Sequence, residues 1–206
     1  MSGVFITFEG PEGSGKTSVI KAIEAFLRAD GYDILVTREP GGIKIAEQIR
    51  DIILSKENTE MDSRAEALLF AASRAQHFHQ KILPALKDNK VILCDRFIDS
   101  SLAYQGHARE LGIDQVYDIN AFAINQTLPD ATIFIDVKPE VGLKRVFNNQ
   151  RKIDRLDLET LAFHKKVYEG YQILAKKYQE RFYVVNGENP IESVIEDTLQ
   201  IIKTVL

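Results

Sequence analysis

The chain has 206 residues, 45% of them hydrophobic and 27% charged, with a net charge of −4 and a single cysteine. That length suits one domain with a sizeable core, and the acidic balance argues against a nucleic-acid polymer as partner. Cys94 has no partner for an internal disulfide, no apolar run approaches the ~18 residues of a membrane span, and no charged-then-apolar leader opens the chain; a cytoplasmic protein without a membrane segment is expected.

An apolar run, Val4 to Phe8, predicts a first strand. Gly10-Pro11-Glu12-Gly13-Ser14-Gly15-Lys16-Thr17 follows it and opens into a helical pattern, the strand-to-helix context in which G-x-x-x-x-G-K-[ST] works as a phosphate loop. Glycines let backbone N–H groups converge on phosphate oxygens at a helix N-terminus. Lys16 adds a mobile positive charge, and Thr17 a hydroxyl for Mg2+. Val19, Ile20, Ile23, Phe26 and Leu27 form the apolar face of the helix, which Gly31 is placed to stop.

Asp33 to Thr37 reads as the second strand and runs into Arg38-Glu39-Pro40-Gly41-Gly42, a tight loop at a strand's C-terminal end. Ile45, Ile49, Ile52 and Ile53 give the next helix its apolar face, with Arg50 off that stripe. After a polar loop, Ser55 to Ser63, a long helix is expected from Ala65 to Leu86, ending near Pro84. Within it Phe70 and Arg74 lie four apart and share a side. The pair suits stacking and hydrogen bonding to a planar base, and equally a core Phe beside a solvated Arg.

Val91 to Cys94 is continuously apolar, as a strand buried on both faces is. Asp95 and Arg96 stand at its end; Asp95 suits a carboxylate holding Mg2+ through water, or one merely paired to a neighbouring Arg. The hydrogen-bonding stretch Asp99 to Gly106 follows, then a helix from about Asp114 to Thr127, a strand over Ala131 to Asp136 and a helix from Pro139. Hydrophobicity collapses from Asn148 to Asp157, where Arg151 and Arg155 fall on a charged segment that reads as a solvated linker or a lid. A helix over roughly Leu158 to Lys177, a strand Phe182 to Val185 and a helix Ile191 to Val205 complete the chain.

Strands alternating with helices predict a mainly parallel sheet covered on both faces. Its polar clusters all fall at strand C-terminal ends, and so along one edge. Phosphoryl transfer needs positioning and charge neutralisation more than a nucleophilic side chain. Lys16 and Mg2+ serve a donor, Arg38 and Arg96 an acceptor anion, and Arg151 or Arg155 a closing segment. His77, His79, His107 and His164 form no metal-ligand spacing.

The blocks Phe8 to Thr17, Thr37 to Gly42, Leu69 to Arg74, Asp95-Arg96-Phe97 and Ser100 to Gly106 resemble, in order and spacing, the thymidylate kinase family of bacterial type, nearly end to end. The resemblance implies a five-stranded α/β P-loop kinase over residues 1–206 with a short lid at about 148–157, and ATP phosphorylating dTMP to dTDP. It implies Phe70 on thymine and Arg74 on a base carbonyl, with Ser101 and Gln105 near the base. Tyr104 would lie by the sugar, Arg38 and Arg96 on the monophosphate with Arg50 nearby, and Arg145 on adenine. Glu12 takes the place where eukaryotic members tend to have arginine, which leaves the lid arginines to supply that charge. A homodimer is implied, with long helices such as Ala65 to Leu86 available as its interface. A kinase for another nucleoside monophosphate, or an ATP-dependent switch protein, are the competing readings.

Overall fold

The computed structural model describes residues 3–148 and 153–206. A five-stranded, wholly parallel sheet is its centre, in the order β2-β3-β1-β4-β5. The strands are β1 (Val4–Glu9), β2 (Ile34–Arg38), β3 (Val91–Asp95), β4 (Ala131–Asp136) and β5 (Phe182–Asn186). The helices are α1 (Lys16–Ala29), α2 (Lys44–Leu54), α3 (Ser63–His77), α4 (Leu83–Lys87), α5 (Ile98–Ser101), α6 (Ile113–Ala123), α7 (Pro139–Asn148), α8 (Leu161–Lys177) and α9 (Ile191–Val205). This is the mainly parallel sheet covered on both faces that the alternation of strands and helices predicts.

Side-chain alternation divides the interior into two cores, which is why the central strands read as unbroken apolar runs. Phe5, Ile92, Cys94 and Phe134 face one layer with Phe97, Tyr104, Phe163 and Tyr171. Ile6, Phe8, Leu93 and Ile133 face the other with Val19, Ile23 and Leu27 of α1 and Val194 and Ile202 of α9.

Several boundaries depart from the sequence expectations for identifiable reasons. Asp62 accepts from Arg64 N at 2.8 Å and Ala65 N at 3.3 Å, so α3 starts at Ser63 rather than Ala65. Its path does not stop near Pro84. A π-helical stretch, Phe78–Ile82, comes first, with Leu83 N donating to Phe78 O, and the chain stays helical to Lys87. A wider turn accommodates a ring that has no N–H to donate and would crowd the carbonyl four residues back. Thr160 caps α8 by accepting from Phe163 N, which moves its start from Leu158 to Leu161. α6 ends at Ala123, short of Thr127, and Asn125 and Gln126 take left-handed backbone beyond it.

Two apolar stripes are narrower than expected. Phe26 of α1 and Ile45 and Ile52 of α2 are about half exposed, and α2 buries Ala46 along with the expected Ile53.

Candidate active site

The sheet order places β1 between β3 and β4, and crevices at the carboxyl ends of such strands are where ligands bind in open α/β sheets. Register sets Phe8 beside Asp95 and Arg38 beside Asp95, so three of the predicted clusters emerge side by side. A cavity of about 390 Å³ opens there.

The phosphate loop forms one wall, from Glu12 to Thr17. Gly15 is the N-cap of α1 at φ 95, no side chain caps that helix, and its first turn holds no acidic residue. The helix start therefore presents N–H groups and a positive dipole end to an anion. Gly13, at φ 70, presses on α7 so closely that a Cβ there would sit 2.1 Å from the Gly142 carbonyl oxygen. Lys16 Nζ donates to Gly10 O, Pro11 O and Ser14 Oγ at 3.0 to 3.1 Å, which accounts for the two loop residues that do not line the cavity. Burial, and then the charge of Arg96, lowers its pKa to about 8. A lysine so placed gains from an approaching phosphate.

Thr17 Oγ1 donates to Asp95 Oδ2 at 3.1 Å. A hydroxyl and a carboxylate at a phosphate loop are hard oxygen donors, and Mg2+ typically takes one or two such groups while keeping several waters. These residues fit the ion.

Arg38, Arg50 and Arg96 make the cavity strongly cationic. Arg38 donates to Pro40 O and Glu47 Oε1, and Arg50 to Pro40 O, so two guanidinium groups share one carbonyl. Burial and the like charge of Arg38 lower the pKa of Arg50. Both line the cavity, where a bidentate oxyanion would relieve their repulsion. Arg96, in left-handed backbone at φ 69, sends Nη2 to Glu12 Oε1 at 2.7 Å and Nη1 to Ser100 Oγ and Tyr171 OH at 3.1 Å. Tyr104 OH donates to the same Glu12 oxygen at 3.0 Å. Glu12 thus turns away from its own loop toward Arg96 and Tyr104.

Phe70, Arg74, Ser101, Tyr104 and Gln105 also line the cavity. Arg74 is not a solvated neighbour of a core Phe. It is 2% exposed and donates to Glu39 Oε2 at 2.7 Å, Ser101 Oγ at 2.9 Å, Phe97 O at 2.8 Å and Asn120 Oδ1. The other oxygen of Glu39 meets His77 Nδ1 at 2.9 Å, and His77 Nε2 bonds Thr37 Oγ1.

Three expected residues stand apart. Arg155 is a correction: it is buried rather than presented on a solvated segment, donating to Ile53 O at 2.8 Å and Glu66 Oε2 at 2.6 Å, and it does not line the cavity. Arg145 also lies outside the cavity lining and donates to Gly187 O at 3.1 Å. Arg151 lies outside the described residues.

Sequence reasoning missed Glu9 and Tyr171. Buried Glu9 accepts from Phe97 N, Ser100 N, Ser100 Oγ and Tyr171 OH, and so fixes the groups that hold Arg96. Burial, and then the charge of Asp99, raises its pKa to about 7. A carboxylate closing an otherwise apolar strand was the available signal for it.

Comparisons with known proteins agree on one family. The family model for thymidylate kinase matches residues 8–198. A thymidylate kinase of Bacillus velezensis is 56% identical over 207 residues, covering 100% of this chain and 98% of that protein. One from Clostridium novyi is 55% identical over 202 residues, with 98% of each covered. The crystal structure of thymidylate kinase from Ehrlichia chaffeensis superposes with a TM-score of 0.80 at 30% identity, covering 98% of this chain and 99% of that one.

Proposed function

The chain belongs to the thymidylate kinase family and phosphorylates dTMP to dTDP, and on that premise we propose that ATP is the donor, held with Mg2+ at the phosphate loop. The observation that carries this reading is one cavity lined by the loop from Glu12 to Thr17, by Arg38, Arg50 and Arg96, and by Phe70, Arg74, Ser101 and Gln105.

In this assignment the N–H groups from Gly13 to Thr17 and the Lys16 ammonium grip the donor's phosphates. Thr17 and Asp95 hold Mg2+, whose double charge offsets that of the phosphate oxygens. Arg38, Arg50 and Arg96 hold the monophosphate of dTMP, and Phe70, Arg74, Ser101 and Gln105 its base, with Tyr104 by the sugar. An oxygen of the bound monophosphate attacks the terminal phosphorus of the donor, and the bond to the leaving diphosphate breaks. The arginines neutralise the acceptor's charge so that two anions can meet. Arg145, tied to the loop after β5, is assigned to the adenine side. Of the two lid arginines we assign the transferred phosphate to Arg151 and give Arg155 an anchoring role, within a single domain whose lid spans about 148–157.

A homodimer and a cytoplasmic location complete the proposal. The dimer is supported by exposed Ile45 and Ile52 on α2, Leu68 on α3 and Phe122 on α6, because α3 adjoins both other helices. The location rests on one buried, unpaired cysteine and on no described helix being long and apolar enough to cross a membrane.

The deciding experiment mixes the purified protein with ATP, Mg2+ and each nucleoside monophosphate in turn and follows ADP. Release that depends on dTMP and on Mg2+ is expected; release independent of any monophosphate defeats the two-substrate assignment.

A further inference from the structure

Behind the base end of the cavity lies a buried ionic cluster that the transfer reaction does not use. Its centre is Glu66 of α3, 1% exposed. Oε1 accepts from Gln105 Nε2 at 2.9 Å and Arg109 Nε at 3.2 Å, and Oε2 from Arg109 Nη2 at 3.2 Å and Arg155 Nη2 at 2.6 Å. Burial alone would raise the pKa of this carboxyl, but the hydrogen bonds and charge of Arg109, with those of Gln105 and Arg155, hold it below the usual value.

An ionised carboxylate accepts hydrogen bonds and donates none. Gln105 must therefore turn its amino end toward Glu66, and its amide can no longer rotate freely. The opposite end, Oε1, accepts no hydrogen bond from any described residue, and Gln105 lines the cavity beside Phe70 and Arg74. An acceptor fixed opposite N3 discriminates between pyrimidines. Thymine carries a hydrogen on N3, whereas cytosine has a bare lone pair there.

We propose that Glu66 is a positioning residue for base selection. By locking the Gln105 amide it keeps a hydrogen-bond acceptor facing the base edge, which favours a pyrimidine with a protonated N3 over cytosine. Arg109 and Arg155 keep Glu66 charged, and so keep the lock one-directional. The proposal rests on the base lying against Phe70 and Gln105.

Steady-state kinetics on dTMP and dCMP test it in three variants. In Glu66→Gln the new amide donates as well as accepts, so Gln105 is free to turn over. The expected result is a roughly 10- to 100-fold loss in kcat/KM for dTMP, mostly in KM, as for a misplaced buried hydrogen bond. The preference for dTMP over dCMP should fall at least about 10-fold with it, while KM for ATP stays. Glu66→Asp keeps the charge and should retain that preference to within about 3-fold. A Glu66→Gln enzyme that is slower with an unchanged preference, or a Glu66→Asp enzyme that loses the preference equally, overturns the proposal. Should Glu66→Gln fail to fold, wild-type enzyme with N3-methylated dTMP decides: a loss of about 10-fold or more is expected, and turnover equal to dTMP overturns it. Gln105→Ala isolates the underlying placement, because an unchanged KM for dTMP there removes the base from this recess and the proposal with it.

Discussion

Glu12 Oε1 and Arg96 Nη2 lie 2.7 Å apart, so the loop assigned to one substrate is tied to an arginine assigned to the other. Removing the carboxylate in Glu12→Ala takes away the partner of Arg96 Nη2 and of Tyr104 OH, while Arg96 keeps Ser100, Tyr171 and the Tyr104 ring. KM for dTMP should rise about 10-fold, the value of one charge-assisted hydrogen bond. KM for ATP should move much less, and an equal rise in both would place Glu12 on the donor side.

Lys16→Ala should lower kcat by about 10³-fold or more, since a charge at the transferring phosphoryl group is worth that much. The fold should persist, because Lys16 contributes three hydrogen bonds within a loop whose backbone is fixed by Gly13, Gly15 and the start of α1. Unaltered circular dichroism with lost turnover is the expected pair of results; retained turnover removes the loop from the chemistry.

The residues legible in the sequence are those whose chemistry is set locally. The phosphate loop, Arg38 and Asp95 each sit at a strand end with fixed short-range spacing, and the register Arg38 to Asp95 follows from the parallel order. The illegible ones depend on partners far along the chain. Glu9 meets Tyr171 across 162 positions and Glu66 meets Arg155 across 89. A charged run reads as solvated unless its partner is known, which is why Arg155 was expected on an open lid and is instead buried against α3. Arg74 stood out as a candidate base reader, but its burial as a cation was not legible, because Glu39, its counter-ion, is 35 positions away.

That burial changes what Arg74→Ala should do. Among the described residues Glu39 would be left with His77 as its one remaining ring or cationic partner, and losing half of a buried pair costs roughly 3 to 5 kcal/mol. The variant should therefore melt earlier as well as bind dTMP more weakly. Pairing Arg74→Met with Glu39→Gln removes both charges and should recover most of the stability without restoring KM for dTMP. Recovery of both in the double variant would show that Arg74 only supports the fold.

Phe122, 88% exposed on α6, tests the proposed assembly. Phe122→Glu places a charge that a buried interface tolerates poorly. Sedimentation should shift from dimer to monomer at micromolar concentration, with the melting temperature of the monomer little changed. A wild-type protein that sediments as a monomer removes the need for an interface there.

Glu9 predicts a pH dependence of stability whose sign is fixed by its raised pKa. In the unfolded chain the carboxyl titrates near 4.5, and in the folded protein near 7. Below pH 4.5 both states are protonated and Glu9 costs nothing. Between these values the folded state retains a proton that the unfolded chain has released, so stability falls as pH rises, and the full cost stands above pH 7. A separation of that size corresponds to roughly 3 kcal/mol, or roughly 6 to 12 °C in melting temperature for a chain of this length. The groups that set it are Asp99, which opposes ionisation as burial does, and Arg96, Ser100 and the Phe97 N–H, which favour it. Glu9→Gln keeps an acceptor for the Phe97 N–H but cannot ionise, so Ser100 and Tyr171 have only to rotate their hydroxyls. Melting curves of both proteins at pH 4.5 and pH 8 give the comparison. The wild type should lose more stability than the variant on going to pH 8, by about the amount above. Parallel losses would mean that Glu9 is already ionised in the folded protein, compensated by Arg96.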